Sequence, residues 1–366
     1  MDETDPLITF DAEGVCHYCR QMEPVLANLH VPEAEIERRL EAMAAPIRAY
    51  GKGREYDSLL GVSGGVDSSY VAYLAKKLGL RPMVVHFDNG WDSELAVENI
   101  RQLIERLGFD YYTYVINWEE FRDLQRSYFK ASVLDIEVLT DQAIYGAMFS
   151  VARKHKIRYI LLGGNLATEN GLPAKWVYYK FDLKNLKAIQ KRFGTLKLRS
   201  FPTFSYGRLL LQSLSRRHTF VRLLNHCNYQ KRRAMQILES ELGWRYYGGK
   251  HYESVFTKFY QAYYLPVKFN IDKRKAHLSS LIRNGELTRA DALAELQKPP
   301  YDPEQLRHDK PYVLKKLGFS DAEFDAIMRT PPVPHAAYPS QERLLDFLFS
   351  LRSRLRGKEN RFKSMS

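Results

Sequence analysis

The sequence predicts an α/β protein with a doubly wound parallel sheet followed by a largely helical C-terminal region. Three observations predict it. Short apolar runs alternate with helical periodicity between residues 56 and 162, and each run closes in a turn rich in Gly, Asp or Asn. Beyond residue 180 the strand pattern gives way to basic, aromatic segments of helical character. Strand and helix in alternation imply parallel strands with ligands at their carboxyl ends.

The elements follow in order. Residues 56–62 read as the first strand, which enters Ser63-Gly64-Gly65-Val66-Asp67-Ser68-Ser69. A helix from near Asp67 to Leu78 then stops at Gly79, a suitable C-terminal cap. The run 82–87 ends in Asp88-Asn89-Gly90, and the next helix carries Val97, Ile100, Leu103, Ile104 and Leu107 on one face. A strand over 111–116 and helical segments over 119–129 and 140–154 precede a fourth strand, 158–162, which ends in Gly163-Gly164-Asn165. These three strand ends should converge on one cleft. The chain divides into an N-terminal segment (1–50), a nucleotide-binding domain (51–180), a mainly helical region (181–330), and a Pro-rich linker with a final amphipathic helix and basic tail (331–366).

Composition narrows the class. With 45% hydrophobic and 13% aromatic residues over 366 positions, the chain has the means to bury a sizeable core. No apolar run reaches the ~18 residues of a membrane span, and the start is acidic where a secretory signal is basic, so a soluble cytoplasmic protein is expected. The net charge of +12 suits nucleic acid, a phosphorylated substrate or an anionic lipid surface, and does not choose among them. The three cysteines, Cys16, Cys19 and Cys227, are too few for a disulfide framework and fit a reducing compartment.

The loop after the first strand carries the chemistry. Its glycines allow a tight turn and close backbone approach to an anion, while N–H groups and the positive end of the following helix point at phosphates. Ser63, Ser68 and Ser69 add hydroxyl donors and Asp67 can hold magnesium. The Walker A pattern, with its lysine, is absent. The stretch instead resembles the PP-loop of the ATP pyrophosphatases (adenine nucleotide alpha hydrolase-like), which implies ATP with Mg2+ and cleavage between the α and β phosphates. Asp88 suits a group near the adenosine or magnesium, or a simple turn former. Gly163, Gly164 and Asn165 complete the expected nucleotide-binding set.

Two further stretches are similar to bacterial N-acetyl sugar amidotransferases of the WbpG/PseA type. One runs Trp244-Arg245-Tyr246-Tyr247-Gly248-Gly249-Lys250-His251-Tyr252-Glu253 through Gln261, with Lys268 to His277 after it. The other is the opening Ile8-Thr9-Phe10-Asp11 with Gly14-Val15-Cys16-His17-Tyr18-Cys19. The resemblance implies that a sugar N-acetyl group becomes an acetamidino group, through amide adenylation and displacement of AMP by ammonia. A UDP-linked diacetamido uronic acid is the implied substrate, in lipopolysaccharide O-antigen or related surface-glycan synthesis.

For the charged transition state the candidates are Lys250 and Lys258, with Lys273 and Arg274 nearby, since compact cations can follow charge on phosphate oxygens. Glu253 could orient a lysine, bind magnesium or accept a proton from ammonia. The competing reading makes Lys250, Glu253 and Lys258 helix-surface ion pairs worth ~0.3–0.5 kcal/mol each. No glutaminase nucleophile is evident, so the resemblance implies a separate glutaminase subunit like that of imidazole glycerol phosphate synthase, with a cyclase-like companion. Cys16-x-x-Cys19 is half a zinc ribbon, since structural zinc takes four ligands. The family's usual second pair is missing, which implies a start placed too far downstream or a lost site. The rival functions are a PP-loop tRNA-modifying enzyme, by thiolation or ligation, and a noncatalytic nucleotide-binding scaffold.

Overall fold

The computed structural model describes residues 1–215, 217–249 and 252–355. Helices α1 (His17–Leu29) and α2 (Glu33–Tyr50) lead into β1 (Ser58–Val62), α3 (Val66–Lys77), β2 (Pro82–Asp88), α4 (Glu94–Leu107) and β3 (Tyr111–Val115). Then come α5 (Trp118–Lys130), α6 (Val138–Lys154), β4 (Tyr159–Leu161), α7 (Leu183–Phe193), α8 (Tyr206–Ser215), β5 (Thr219–Val221) and α9 (Lys231–Leu242). The C-terminal part holds α10 (Val255–Phe259), a π-helical turn (Tyr260–Tyr264), α11 (Leu265–Phe269), α12 (Arg274–Arg283), α13 (Arg289–Gln297), α14 (Pro303–Leu317), α15 (Asp321–Arg329) and α16 (Glu342–Leu355).

The sheet has the order β3-β2-β1-β4-β5 with every pair parallel. Strand order reverses between β1 and β4, so a crevice opens where the loops after these two strands part. Alternate side chains serve the two faces. Leu60, Val62, Val84 and Leu161 enter a core with α2, α3, α4 and α9. Leu59, Met83, Val85 and Ile160 enter the opposite core with Met148, Phe149 and Phe204. Burial on both faces explains why β1 and β2 read as continuous apolar runs.

Helix boundaries follow local chemistry. Ser93 caps α4 by accepting from Ala96 N at 3.1 Å, and Gly108, at φ 62°, ends it in the left-handed conformation. The predicted strand and helix order holds through β4. The expectation that strands end before residue 180 does not: β5 pairs with β4 from Thr219↔Tyr159 to Val221↔Leu161. Three residues show no periodicity in sequence, so only tertiary pairing reveals this strand.

A third, aromatic core ties the C-terminal helices to α5. Phe129 packs edge-on against Tyr264 at 4.9 Å between centroids and against Phe256 at 6.0 Å. Two acids on α5 hold the loop after α7: Glu120 accepts from the backbone N–H groups of Arg199, Ser200 and Phe201, and Asp123 from those of Thr195 and Leu196. The two halves are also laced by backbone. Ser93 N donates to Glu253 O and Val255 N to Trp91 O, each at 2.8 Å, around an antiparallel bridge between Asp92 and Ser254. Among the described residues no helix is long and apolar enough to cross a membrane.

Candidate active site

The loop after β1 has the shape its sequence demands. Gly64 sits at φ 76°, and a Cβ there would stand 2.5 Å from the carbonyl oxygen of Ala96. Gly163, after β4, comes so near α3 that a Cβ would lie 3.0 Å from Ser68 N. Ser68 Oγ accepts from Ser63 N at 3.3 Å and donates to Gly65 O at 3.2 Å, fixing the turn. The first turn of α3 then presents N–H groups that no earlier carbonyl can satisfy.

Distant residues finish the loop. Trp244 Nε1 donates to Gly64 O at 2.9 Å, and Tyr247 OH accepts from Val66 N at 3.2 Å. Tyr229 OH donates to the Asp67 carboxylate. Burial and the neighbouring Asp67 push the Tyr229 phenol far above its ordinary range, so it stays a donor.

These groups line a cavity of about 500 Å³. Its walls hold Ser63, Gly65, Asp67, Ser68, Gly163 and Gly164 from the strand ends, and Glu253, Ser254, Thr257, Gln261, Lys273 and His277 from the C-terminal half. The π-helical turn sets Gln261 on this wall, a use typical of such turns. At the end of β2, His86 places Nδ1 3.1 Å from Val62 O and Nε2 3.0 Å from the Asp92 carboxylate. Burial alone would lower its pKa, but the two facing acceptors outweigh that and hold the imidazole above its ordinary value.

Another wall is charged and half-buried. Asp135, Glu137 and Asp141 meet Lys180 and Lys273 there. Lys180 pairs with Asp141 at 3.2 Å, and Asp135 accepts from Tyr178 N at 2.8 Å. Glu137 Oε2 accepts from Thr257 Oγ1 at 3.1 Å, whereas its Oε1 is buried with no hydrogen-bond partner among the described residues. Burial pushes the Glu137 carboxyl up to about 7 against the pull of Lys273. A second cavity of about 580 Å³ shares Lys231, Gln261, Lys273 and His277 with the first.

Of the residues singled out in the sequence, Ser63, Gly65, Asp67, Ser68, Gly163, Gly164, Glu253 and Lys273 line this one cavity. Others serve elsewhere. Gly64 shapes the loop from behind, and Ser69 is buried inside α3. Asp88 caps its own turn, accepting from Gly90 N at 2.8 Å, while the next residue, Asn89, lines the cavity. Asn165 closes a turn by accepting from Thr168 N at 2.8 Å. Lys258 is held by Asp309 at 2.9 Å over the Tyr301 ring. Arg274 is held by Asp272 at 2.7 Å and the carbonyl of Lys298 at 2.9 Å, beside the second cavity only.

The helical ion-pair reading of Lys250, Glu253 and Lys258 fails, because Glu253 lies in the bridged segment before α10, and Ser254 caps that helix. Lys250 lies outside the described residues, as does His251. Cys16 and Cys19 bring their sulfurs to 3.5 Å, but among the described residues no group of three or more His, Cys, Asp or Glu is placed to hold a metal. Sequence reasoning missed His86, Asp92, Lys180 and the acids at 135, 137 and 141. The signal for the acids was present: Asp135, Glu137 and Asp141 interrupt an otherwise apolar stretch from Val133 to Leu139 and beyond.

The parallel sheet, its order and the glycine loop at the switch point define an ATP-using nucleotide-binding protein of the PP-loop kind. Residues 40–197 match the family model for NAD synthase, and residues 253–352 match that of "LPS biosynthesis protein WbpG-like, C-terminal domain". The chain is therefore a WbpG-type PP-loop protein. Among curated proteins, tRNA(Ile)-lysidine synthase of Chlamydia pneumoniae is 29% identical over 136 residues, which cover 37% of this chain and 40% of that one. The Thermus thermophilus enzyme of the same name is 30% identical over 110 residues, covering 30% of this chain and 20% of that one. The chain thus spans less than half the length of these relatives. Solved structures similar to it include NMN synthetase from Francisella tularensis, at 19% identity and TM-score 0.31 over 38% of this chain and 56% of that one. An NH3-dependent NAD synthetase from Campylobacter jejuni has 17% identity and TM-score 0.28 over 36% and 58%.

Proposed function

We propose that this protein is an ATP-dependent, AMP-forming amidotransferase that converts the N-acetyl group of a nucleotide-linked sugar into an acetamidino group in surface-glycan biosynthesis. One observation carries the reading: the PP-loop and the first residues of the WbpG-like domain line the same cavity. In this scheme the amide oxygen attacks the α-phosphorus of ATP and pyrophosphate departs. Charge on the departing group meets the N–H groups at the start of α3, the Ser63 and Ser68 hydroxyls and the helix dipole. Asp67 supplies a carboxylate for Mg2+, which would offset charge on the phosphate oxygens. Lys273, 7% exposed, offers a cation from the opposite wall. Ammonia then displaces AMP, supplied by a separate glutaminase subunit in the cytoplasm.

The test is release of AMP and pyrophosphate from ATP, magnesium and ammonium, with and without UDP-diacetamido uronic acid, with the sugar followed by mass spectrometry. Sugar-dependent AMP with replacement of one oxygen by NH is expected. The matches to tRNA(Ile)-lysidine synthases and the net charge of +12 favour a second reading, tRNA modification. AMP release stimulated by tRNA and by no acetamido sugar would select it.

A further inference from the structure

The acidic wall of the cavity belongs to no part of the nucleotide-binding loop, and its charges do not balance. Three carboxylates, Asp135, Glu137 and Asp141, face two ammonium groups, Lys180 and Lys273. Asp141 is neutralised by Lys180 at 3.2 Å, and Asp135 is anchored by the Tyr178 backbone N–H. Glu137 is held on one side only, with Thr257 on Oε2 and nothing among the described residues on Oε1. A buried carboxylate oxygen without a partner is costly unless the group is protonated or meets a cation. Thr257 and Gln261, one helical turn apart, bring further oxygen acceptors to the same cavity.

We infer that Glu137 binds the nitrogen donor as ammonium and takes its proton, delivering neutral ammonia to the adenylated substrate. This rests on the amidotransferase reading above. The step balances: ammonium and the Glu137 carboxylate give ammonia and the carboxylic acid. The ammonia lone pair then forms the C–N bond at the imidate carbon, the C–O bond to AMP breaks, and AMP leaves with that electron pair. The amidinium product keeps all three ammonia hydrogens, and Glu137 returns its proton to solvent. Burial has already raised the Glu137 carboxyl to about 7, a basicity matched to taking a proton near neutral pH. The charged groups acting on it are Lys273, Asp141 and Asp135.

The experiment compares wild type, Glu137→Gln and Glu137→Asp in sugar-dependent AMP release, with ammonium chloride or with hydroxylamine, which is already neutral near pH 7. For wild type, kcat/KM on total ammonium should rise tenfold per pH unit below neutrality and level off above it. A rise that continues unbroken into the alkaline range, as capture of free ammonia requires, overturns the proposal without any variant. Glu137→Gln should lose ~100-fold or more with ammonium, keep hydroxylamine turnover within about threefold, and lose the bend in the pH profile, with Glu137→Asp in between. Equal losses with both nucleophiles would mean a merely structural role, and unchanged ammonium turnover would also overturn the proposal while leaving the amidotransferase reading intact. A wild type with no sugar-dependent AMP removes both.

Discussion

Glu137 makes a stability prediction that needs no substrate. Its carboxyl is pushed from an ordinary 4.5 to about 7, chiefly by burial. A raised folded value means that the protonated form suits the fold, so this stability is fully present below about 4.5 and is lost as pH rises through about 7. The two values differ by about 2.5, worth on the order of 3 kcal/mol at 1.36 kcal/mol per pH unit. Glu137→Gln keeps the shape and the contact to Thr257 Oγ1 but cannot ionise. Urea unfolding of both proteins between pH 4.5 and 8.5 should show the variant gaining on wild type by up to that amount, most of it between about pH 4.5 and about 7. A difference constant across this range would refute the argument, because it would place Glu137 in contact with solvent or with a permanent cation.

Three further outcomes follow from geometry. Gly64→Ala should cost ~1–3 kcal/mol and abolish the thermal shift produced by ATP, since the new Cβ meets Ala96 O at 2.5 Å; an intact ATP shift would show that the loop is not the phosphate cradle. Glu120→Gln should destabilise by ~1–3 kcal/mol at pH 7, because an amide oxygen replaces a carboxylate holding three backbone N–H groups. Burial alone would raise the Glu120 carboxyl, but those N–H groups hold it below its ordinary value, so the penalty should shrink as pH falls through its folded value, and denaturation at pH 3 and pH 7 checks this. Lys258→Met should leave AMP turnover within about threefold while lowering stability by ~1–2 kcal/mol, since Asp309 loses its cation and keeps the hydrogen bond from Tyr301 OH; a hundredfold loss of turnover with unchanged stability would restore Lys258 as a catalytic group.

The fold was legible as far as local chemistry dictates it. The Gly79 stop, the apolar run 82–87 and the one-sided spacing of Val97, Ile100, Leu103, Ile104 and Leu107 mark α3, β2 and α4 from sequence alone. The loop itself was legible because Ser63, Gly64, Gly65 and Ser68 are close neighbours whose conformation answers to one another. What stayed hidden depends on distance along the chain. Thr219, Phe220 and Val221 become a strand only beside Tyr159, Ile160 and Leu161. Lys258 looks like a phosphate-binding lysine until Asp309, 51 residues on, takes its charge. Glu137 looks like an ordinary acid before a helix until Thr257, 120 residues away, pairs with one oxygen and the fold leaves the other without a hydrogen-bond partner among the described residues.

Long-range contacts also explain why the two halves should act as one catalyst. The turn at Gly64 is held by the indole of Trp244, the first helical N–H by Tyr247, and Asp67 by Tyr229, all from segments more than 160 residues away. From the other side, residues 91–93 between β2 and α4 pair by backbone with residues 253–255, which places Glu253 against Gly65. Neither the phosphate-facing loop nor the start of the WbpG-like domain is therefore complete without the other. Displacing Glu253 would disturb the registered pair that carries Asp92, and with it the carboxylate that fixes His86. Binding at the acidic wall and binding at the PP-loop are joined through Thr257 on α10, whose N-cap Ser254 lies in that same bridge. The two walls thus share one backbone bridge, so a shift at one has a contiguous physical route to the other.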